Sequence, residues 1–590
     1  MNIIGLNAYH GDAAAALVMD GQLVAAVEEE RFNRVKHWAG FPAESIRWCL
    51  KKGGIGPEDV HHVAISFDPK ANIWPRLAFL ARYRPSLAAI IDRLKRQGKT
   101  LGLVDQFAEA VGVDKSKISA RFHRIEHHDA HVAAGFLISP FEQSAILSID
   151  GMGDFTSVLT AEAKGSAWKA IDRVYYPHSL GFLYSAITMY LGFPHYGDEY
   201  KVMGLAPYGE PEFIELFRKL VFPKGNTFEL NLDYFTHHRR GIRMQWNEGA
   251  PRVEPFHSDL LERELGPMRK PQEEMTSRHD NIAKSLQVVT EEIILHLLRS
   301  LQRSTGSKNL CLTGGVAMNS VANGKVTSET DFENVYIPAG AADNGTSFGA
   351  AFYVWNQILG RERNFVQDHA YWGCEATDSE VADATSALGI PSAILSQAQL
   401  IRTVVDLLLD GKVVGWFQGP MEFGARALGN RSLLADPRRT DMRDIINLRI
   451  KFREKFRPFA PSILEEHVGE WFTIDEPTPY MEKVFPIRAE KREQIPAVTH
   501  VDGSGRLQTV SRRTNALYHA LISEFFARTG VPILLNTSLN ENEPIVRTPL
   551  EAIRCFLRTD MDAIAIGGHL IDRHAANFPE QFRQRVSETV

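Results

Sequence analysis

IIGLNAYHGDAAAALVMDGQLVAAVE, residues Ile3 to Glu28, reads as three strands: Ile3 to Asn7, then a polar loop, Ala13 to Met19, an MDGQ turn, and Leu23 to Glu28. Asp20-Gly21 between two apolar runs is a strong hairpin signal, because both residues tolerate the positive φ of a tight turn. The cadence returns in AILSIDGMGDFTSVLTAEAKGSAW, Ala145 to Trp168, where an apolar strand ends in Asp150, a Gly-containing loop follows, and a second strand and turn come after it. The two stretches predict an internal duplication in which Asn7 corresponds to Asp150 and each half offers a polar loop at a strand end to a shared cleft. Strand-loop-strand patterns are common and identity between the copies is poor, so the repeat alone specifies little.

Working outward, LGFLYSAITMYLG reads as helix, and the chain then turns polar from about Pro211 to Arg278, a stretch expected to be an irregular insertion or lid. NIAKSLQVVTEEIILHLLRSLQRS has clear helical periodicity. Next come a strand, NLCLTGG, and a strand, loop and helix in VYIPAGAADNGTSFGAAFYVWNQIL. A composition break at Gly360 to Asp368 sets the expected boundary, giving one α/β body over 1–360 and a second over 371–590. The second alternates helices with strands such as VVGWFQG and VPILLNTS.

The 590 residues are 44% hydrophobic and 23% charged, the balance of a globular chain with substantial cores. Cys49, Cys311, Cys374 and Cys555 lie far apart with no CxxC pair, against a zinc ribbon or a disulfide framework. The opening MNIIGLNAYHGD lacks the basic and apolar regions of a signal peptide, and no run of ~18 uncharged apolar residues occurs, so a cytoplasmic location without membrane partners is expected. A formal charge of −6 offers no global field for nucleic acid, and any anion site must be local.

Four constellations carry chemistry. In EHHDAHVAAGF, Glu126 to Phe136, His127 and His131 are four apart and share a helix face, while His128 points about 100° away. With Asp150 and Asp343, each in a Gly-containing loop after a strand, they would form a mixed N/O site for iron(II), zinc or manganese. The plain alternative is a polar helix start favoured by Asp129, with Asp343 as N-cap of a helix from Gly345. These residues alone favour that alternative. In LTGGVAMNS, Gly314 and Gly315 lie between strand and helix, where N–H groups approach an anion as readily as they form a plain turn. INLRIKFREKFRPFAPSIL gathers Arg449, Lys451, Arg453, Lys455 and Arg457, with Arg426 and Arg431 before it and Arg506 after. That clustering fits a phosphate or carboxylate pocket better than a solvated helix, which two prolines and a Phe would end abruptly. ILLNTSLNENEP ends a strand in Asn536, Thr537, Ser538 and Asn540, either a turn or a hydrogen-bonding cap for a ligand.

Taken in order, GLNAYHGDAAAAL, VEEERFNRVKH, HHDAH, SIDGMGD, YKVMGLAPYG, LTGGVAMNS, AADNGTSFGAA, FGARALGNRS, FREKFRPFAPS and LLNTSLNENEPIV resemble the O-carbamoyltransferases that decorate antibiotics and nodulation factors, over nearly the whole chain to about Arg573. The resemblance implies a duplicated actin-like or sugar-kinase-like N-terminal domain of the threonylcarbamoyl-transferase type, followed by a YrdC-like domain. The latter would make carbamoyladenylate from carbamoyl phosphate and ATP. The former would pass the carbamoyl group to a hydroxyl of a small-molecule acceptor. It implies metal ligands at His127, His131, Asp150 and Asp343, reversing the preference above, with Fe²⁺ as the metal and Mg²⁺ accompanying ATP. Gly314, Gly315, Asn319 and Lys201 would hold the adenylate; Arg426, Lys451, Arg457, Arg506, Asn536 and Ser538 would bind carbamoyl phosphate and nucleotide. His10 has a suitable unperturbed pKa for the general base of transfer, with Asp12 the alternative. A homodimer is left open. Ala14 stands where many relatives have serine, so any hydrogen bond from that serine is lost here.

Rival readings fare less well. A tRNA-modifying threonylcarbamoyl transferase would show a basic surface and need no fused second body. A hydrogenase-maturation carbamoyltransferase would carry CxxC zinc fingers. A sugar kinase leaves HxxxH unexplained, and a non-catalytic carbamoyladenylate sensor would not need the cationic cluster.

Overall fold

In the computed structural model, residues 1–88, 102–245 and 251–583 are described. They divide into two compact units, Met1–Gln367 and Asp368–Val590.

The first unit contains the duplication. Strands β1 (Asn2–Asn7), β2 (Ala14–Met19) and β3 (Gln22–Glu28) form an antiparallel meander turning at Asp20 and Gly21, both at positive φ. β4 (His62–Ile65) and β5 (Arg121–Arg124) add in parallel to give the order β3-β2-β1-β4-β5. β6 (Gln143–Gly153), β7 (Thr156–Lys164) and β8 (Ala167–Tyr175) repeat the meander. The strand Asn309–Thr313 joins β6 in parallel and Asn334–Tyr336 joins Asn309–Thr313 in turn, so the second sheet has the order of the first. Two matched five-stranded sheets are what an actin-like duplication predicts, and they put Asn7 and Asp150 at equivalent strand ends.

Close approach needs glycine. A Cβ at Gly5 on β1 would collide with the Ser347 carbonyl, and one at Gly349 with the Ala130 carbonyl, so the helix Thr346–Tyr353 seats against both β1 and the helix His127–Val132. Three consecutive carboxylates, usually a solvated run, are buried here and hook three different segments. Glu28 accepts from Asn344 Nδ2 at 3.1 Å, Glu29 from the Ser45 N–H and hydroxyl at 2.8 and 2.7 Å, and Glu30 from the His37 N–H at 2.8 Å.

The polar stretch expected to be irregular is built of short ordered pieces: a helix Ile214–Leu220, a hairpin Val221–Lys224 with Thr227–Leu230, and a helix Asp259–Leu265. Phe217, Leu220, Phe228, Phe235, Phe256 and Leu261 are buried, apolar anchors spaced widely enough to escape a composition reading. Residues 246–250 of that stretch lie outside the described residues.

The second unit is α/β on a mixed nine-stranded sheet, in which Val414–Phe417, Arg431–Ala435, Ile533–Ser538, Ala460–Leu464 and Ser504–Val510 are successive neighbours. Trp416, Trp471, Tyr518 and Phe525 fill its core. Among the described residues three helices widen into single π-helical turns at their ends: Ala133–Leu137 follows His127–Val132, Val354–Ile358 follows Thr346–Tyr353, and Asn447–Lys451 follows Met442–Ile446. The latter stops at Phe452, φ 42°, several residues before the prolines expected to end it. Among the described residues no helix is long and apolar enough to cross a membrane.

Candidate functional site

The loop after β5 starts the helix His127–Val132, with Glu126 as N-cap accepting from the Asp129 N–H at 2.8 Å. His127 and His131 therefore share a face, and their Nε2 atoms lie 3.1 Å apart. Asp150, from β6, brings Oδ2 to 3.5 Å of His127 Nε2. Asp343, opening the turn before Thr346–Tyr353, brings Oδ1 to 3.4 Å of His127 Nε2 and 3.5 Å of His131 Nε2. The N-cap alternative for Asp343 fails: its side chain faces the imidazoles, and Gly345 occupies the cap position without a side-chain bond. All four residues are buried, and one ligand atom from each lies within 4.8 Å of the others.

This donor set fits a divalent cation. Asp343 Oδ1 is buried without a hydrogen bond, and two carboxylates and two imidazoles converge where nothing else would balance them. Although burial disfavours a charged imidazole, Asp150 and Asp343 hold the His127 pKa well above its ordinary value. A proton sits where a metal would otherwise supply positive charge. His128 has no part in this. Its ring meets the Ser148 hydroxyl at 2.8 Å and the Thr156 carbonyl at 3.1 Å, a satisfied core histidine.

His10 lies against His127, ring centroids 4.7 Å apart, with Nδ1 buried and unpartnered. Burial, aided by the charge on His127, lowers its pKa to about 4, so the imidazole is neutral. Asp12, in the same loop, is instead turned to His37, Oδ1 to Nδ1 2.8 Å. Sequence reading missed His37 and Tyr196. The Tyr196 ring covers Gly11, where a Cβ would meet its Cε1 at 2.5 Å, and stands edge-on to His37 at 5.5 Å. The polar stretch reaches this point, because the Pro251 carbonyl accepts from the Tyr196 N–H at 2.8 Å.

The glycine turn differs from expectation. The Gly314 N–H donates to the Ala341 carbonyl at 2.7 Å and the Gly315 N–H to Asp150 Oδ1 at 2.9 Å. The anion received here is thus Asp150 itself, on the Gly315 N–H alone. Asn319 pairs its amide with Gln287 at 3.0 and 3.1 Å and caps Ser320–Asn323, while Lys201 pairs with Asp198 at 2.9 Å.

In the second unit, of the five clustered cations only Lys451 is buried. Its Nζ lies 2.5 Å from the Ser538 carbonyl, 3.3 Å from the Ser538 hydroxyl, and 2.7 Å from both the carbonyl and Oδ1 of Asn540. These oxygens of Ser538 and Asn540 hold the buried ammonium at the end of the strand Ile533–Ser538. Arg449 is exposed and pairs with Asp560 at 3.7 Å, and Arg457 pairs with Glu454 at 3.6 Å. Asn536 donates to Ser462 Oγ, Gln508 Oε1 and the carbonyl of Ala427, next to Arg426. Arg506 lies on Ser504–Val510, opposite Val484. Arg431 is fully buried, bonding the carbonyls of Gln418, Asn430 and Cys374 over the Phe417 ring. Glu422, also unforeseen, shapes the Arg426 loop by accepting the N–H groups of Leu428, Asn430 and Arg431 at 2.7, 2.8 and 3.1 Å.

Residues 2–352 match the family described as Carbamoyltransferase N-terminus and residues 405–573 that described as Carbamoyltransferase C-terminus. An uncharacterized protein of Synechocystis sp. is 39% identical over 98% of each chain. Nodulation protein NolNO of Sinorhizobium fredii is 40% identical over 98% of this chain and 81% of its own. Among solved structures, T. kodakarensis HypF aligns with TM-score 0.31 and 16% identity over 61% of this chain and 48% of its own, too distant to carry an argument.

Proposed function

This chain belongs to the carbamoyltransferase family and is a carbamoyltransferase, and from that premise we propose that it is an ATP-dependent O-carbamoyltransferase acting on a hydroxylated small molecule. The 371–590 region forms carbamoyladenylate, and the 1–360 region transfers the carbamoyl group.

Carbamoyl phosphate first loses phosphate to water. The carbamate oxygen then attacks the α-phosphorus of Mg²⁺-bound ATP, expelling pyrophosphate. Both steps crowd anionic oxygens, and Lys451 is the buried cation suited to them, with Arg426, Arg457 and Arg506 as further partners. Ser538 and Asn540 hold Lys451 in place, and Asn536 and Ser538 supply polar contacts to the ligand.

In the transfer step the acceptor hydroxyl attacks the carbamoyl carbon and AMP leaves. His10, neutral and with Nδ1 uncommitted, takes the hydroxyl proton. His127, His131, Asp150 and Asp343 would hold a divalent metal, Fe²⁺ by family resemblance, which would supply Lewis-acid stabilisation of anionic oxygen in the transfer step. Gly314, Gly315, Asn319 and Lys201 would contact the adenylate by family resemblance, with the Gly315 N–H already holding Asp150 in place. The polar stretch from Pro211 to Arg278, tied to Tyr196, recognises the acceptor.

The observation that carries this reading is the buried convergence of two imidazoles and two carboxylates at matched strand ends of a duplicated fold. Mass spectrometry of the products formed from ATP, carbamoyl phosphate and a panel of hydroxylated metabolites tests it. A carbamoylated alcohol with release of AMP is expected; no AMP or pyrophosphate release with any acceptor would remove the reading.

A further inference from the structure

Behind the paired histidines stand a backbone carbonyl and a hydroxyl. His127 Nδ1 lies 3.3 Å from the Ser66 carbonyl, which can only accept, so Nδ1 carries a hydrogen and Nε2 is the nitrogen whose lone pair a cation would take in place of the proton. Ser66 is tethered in turn: its Oγ meets Thr346 Oγ1 at 2.7 Å, and Thr346 donates to the Asp343 carbonyl at 2.6 Å. The partner of His127 and the backbone of Asp343 thus share one hydroxyl bridge.

Thr313, fully buried at the end of its strand, plays the matching part for His131. Its hydroxyl lies 3.2 Å from the Ala341 carbonyl, which takes its single proton, and 3.5 Å from His131 Nδ1, at the outer limit of N–H···O contact. A Cβ built at Gly135 would stand 3.4 Å from the Thr313 methyl, so that methyl packs toward the helix and the hydroxyl is turned to the ring. With its proton committed, Oγ1 can only accept from His131.

We infer that Thr313 is a positioning residue of the candidate metal centre: its hydroxyl, oriented by Ala341, fixes the His131 tautomer so that both imidazoles present Nε2 lone pairs to one divalent cation. Two bare lone pairs 3.1 Å apart beside two carboxylates repel unless a cation lies among them. The inference rests on the metal reading above.

The test uses the full chain, stripped with a chelator and titrated with Co²⁺ alone, followed by visible absorption and equilibrium dialysis. Thr313→Val, nearly isosteric, is expected to weaken Co²⁺ binding about 10- to 100-fold and to alter the ligand-field spectrum, while the metal-free melting midpoint stays near wild type. Thr313→Ser is expected to restore affinity and spectrum. Thr313→Ala gives the same hydroxyl loss should valine not be tolerated. Wild-type affinity in the hydroxyl-free variants overturns the inference, as does Thr313→Ser binding no better than Thr313→Val, because methyl packing would then be the cause. A wild-type chain that takes up no Co²⁺ removes the metal reading and this inference together, an outcome distinct from equal uptake by wild type and variant.

Discussion

Replacing Asp12 with asparagine removes the carboxylate that keeps His37 charged. The His37 and Asp12 side chains are 26% and 23% exposed, with Nδ1 and Oδ1 2.8 Å apart. Burial alone would lower the imidazole's pKa, but Asp12 foremost, then Glu30, raises it from 6.5 to about 9. A base held higher in the fold than in the unfolded chain stabilises the fold in full below about pH 6.5, and the contribution fades as pH rises through about 9. That span corresponds to about 3 kcal/mol. Partial exposure and the share retained by Glu30 reduce the expected loss in Asp12→Asn to about 1–2 kcal/mol. Urea unfolding of wild type and variant at about pH 6 and about pH 10 measures it. The gap should be widest at the lower pH and close at the higher. A gap that is flat, or that widens with pH, refutes the reasoning.

Lys451→Met should lower pyrophosphate release from ATP and carbamoyl phosphate by about 100-fold or more, since no other buried cation of its cluster remains, while Co²⁺ uptake is unchanged. Protein stripped with a chelator, freed of it and assayed with excess Mg²⁺ should form no carbamoylated product yet still release pyrophosphate, both read on the same samples by mass spectrometry. Gly5→Ala, forcing a methyl against the Ser347 carbonyl, should cost about 1–3 kcal/mol, seen as a lower urea midpoint at unchanged slope.

The opening hairpin was legible because Asp20-Gly21 has a local conformational cause, and the repeat because two strands end in polar loops with the same cadence. The i, i+4 spacing of His127 and His131 likewise reports a shared face from helix geometry alone. What escaped was long-range. Whether Asp343 caps a helix or faces a histidine depends on the distance from a residue far earlier in the chain. Gly314 and Gly315 advertised free N–H groups, yet Asp150 and Ala341 occupy them, a pairing no local pattern encodes. Tyr196 and His37 gave no signal beyond lying near glycines, and Glu422 looks like any acidic loop residue until its backbone partners are known. Clustered arginines suggested one pocket, but Arg449 faces solvent and Arg431 staples carbonyls, since charge density in sequence does not say which way each side chain leaves the backbone.

The wide turn Asn447–Lys451 bears on how this protein tolerates insertions and deletions. Excising exposed Leu448 would let the segment relax into an ordinary α-helix with a regular ladder, a gain by local propensity. Because the wide turn absorbs one extra residue, the side chains beyond the excision would keep nearly their present bearing, with the Lys451 ammonium still toward Ser538 and Asn540. A chain shortened here would therefore keep both its fold and the placement of its buried lysine, which marks this turn as a point where the loss of one residue is absorbed locally.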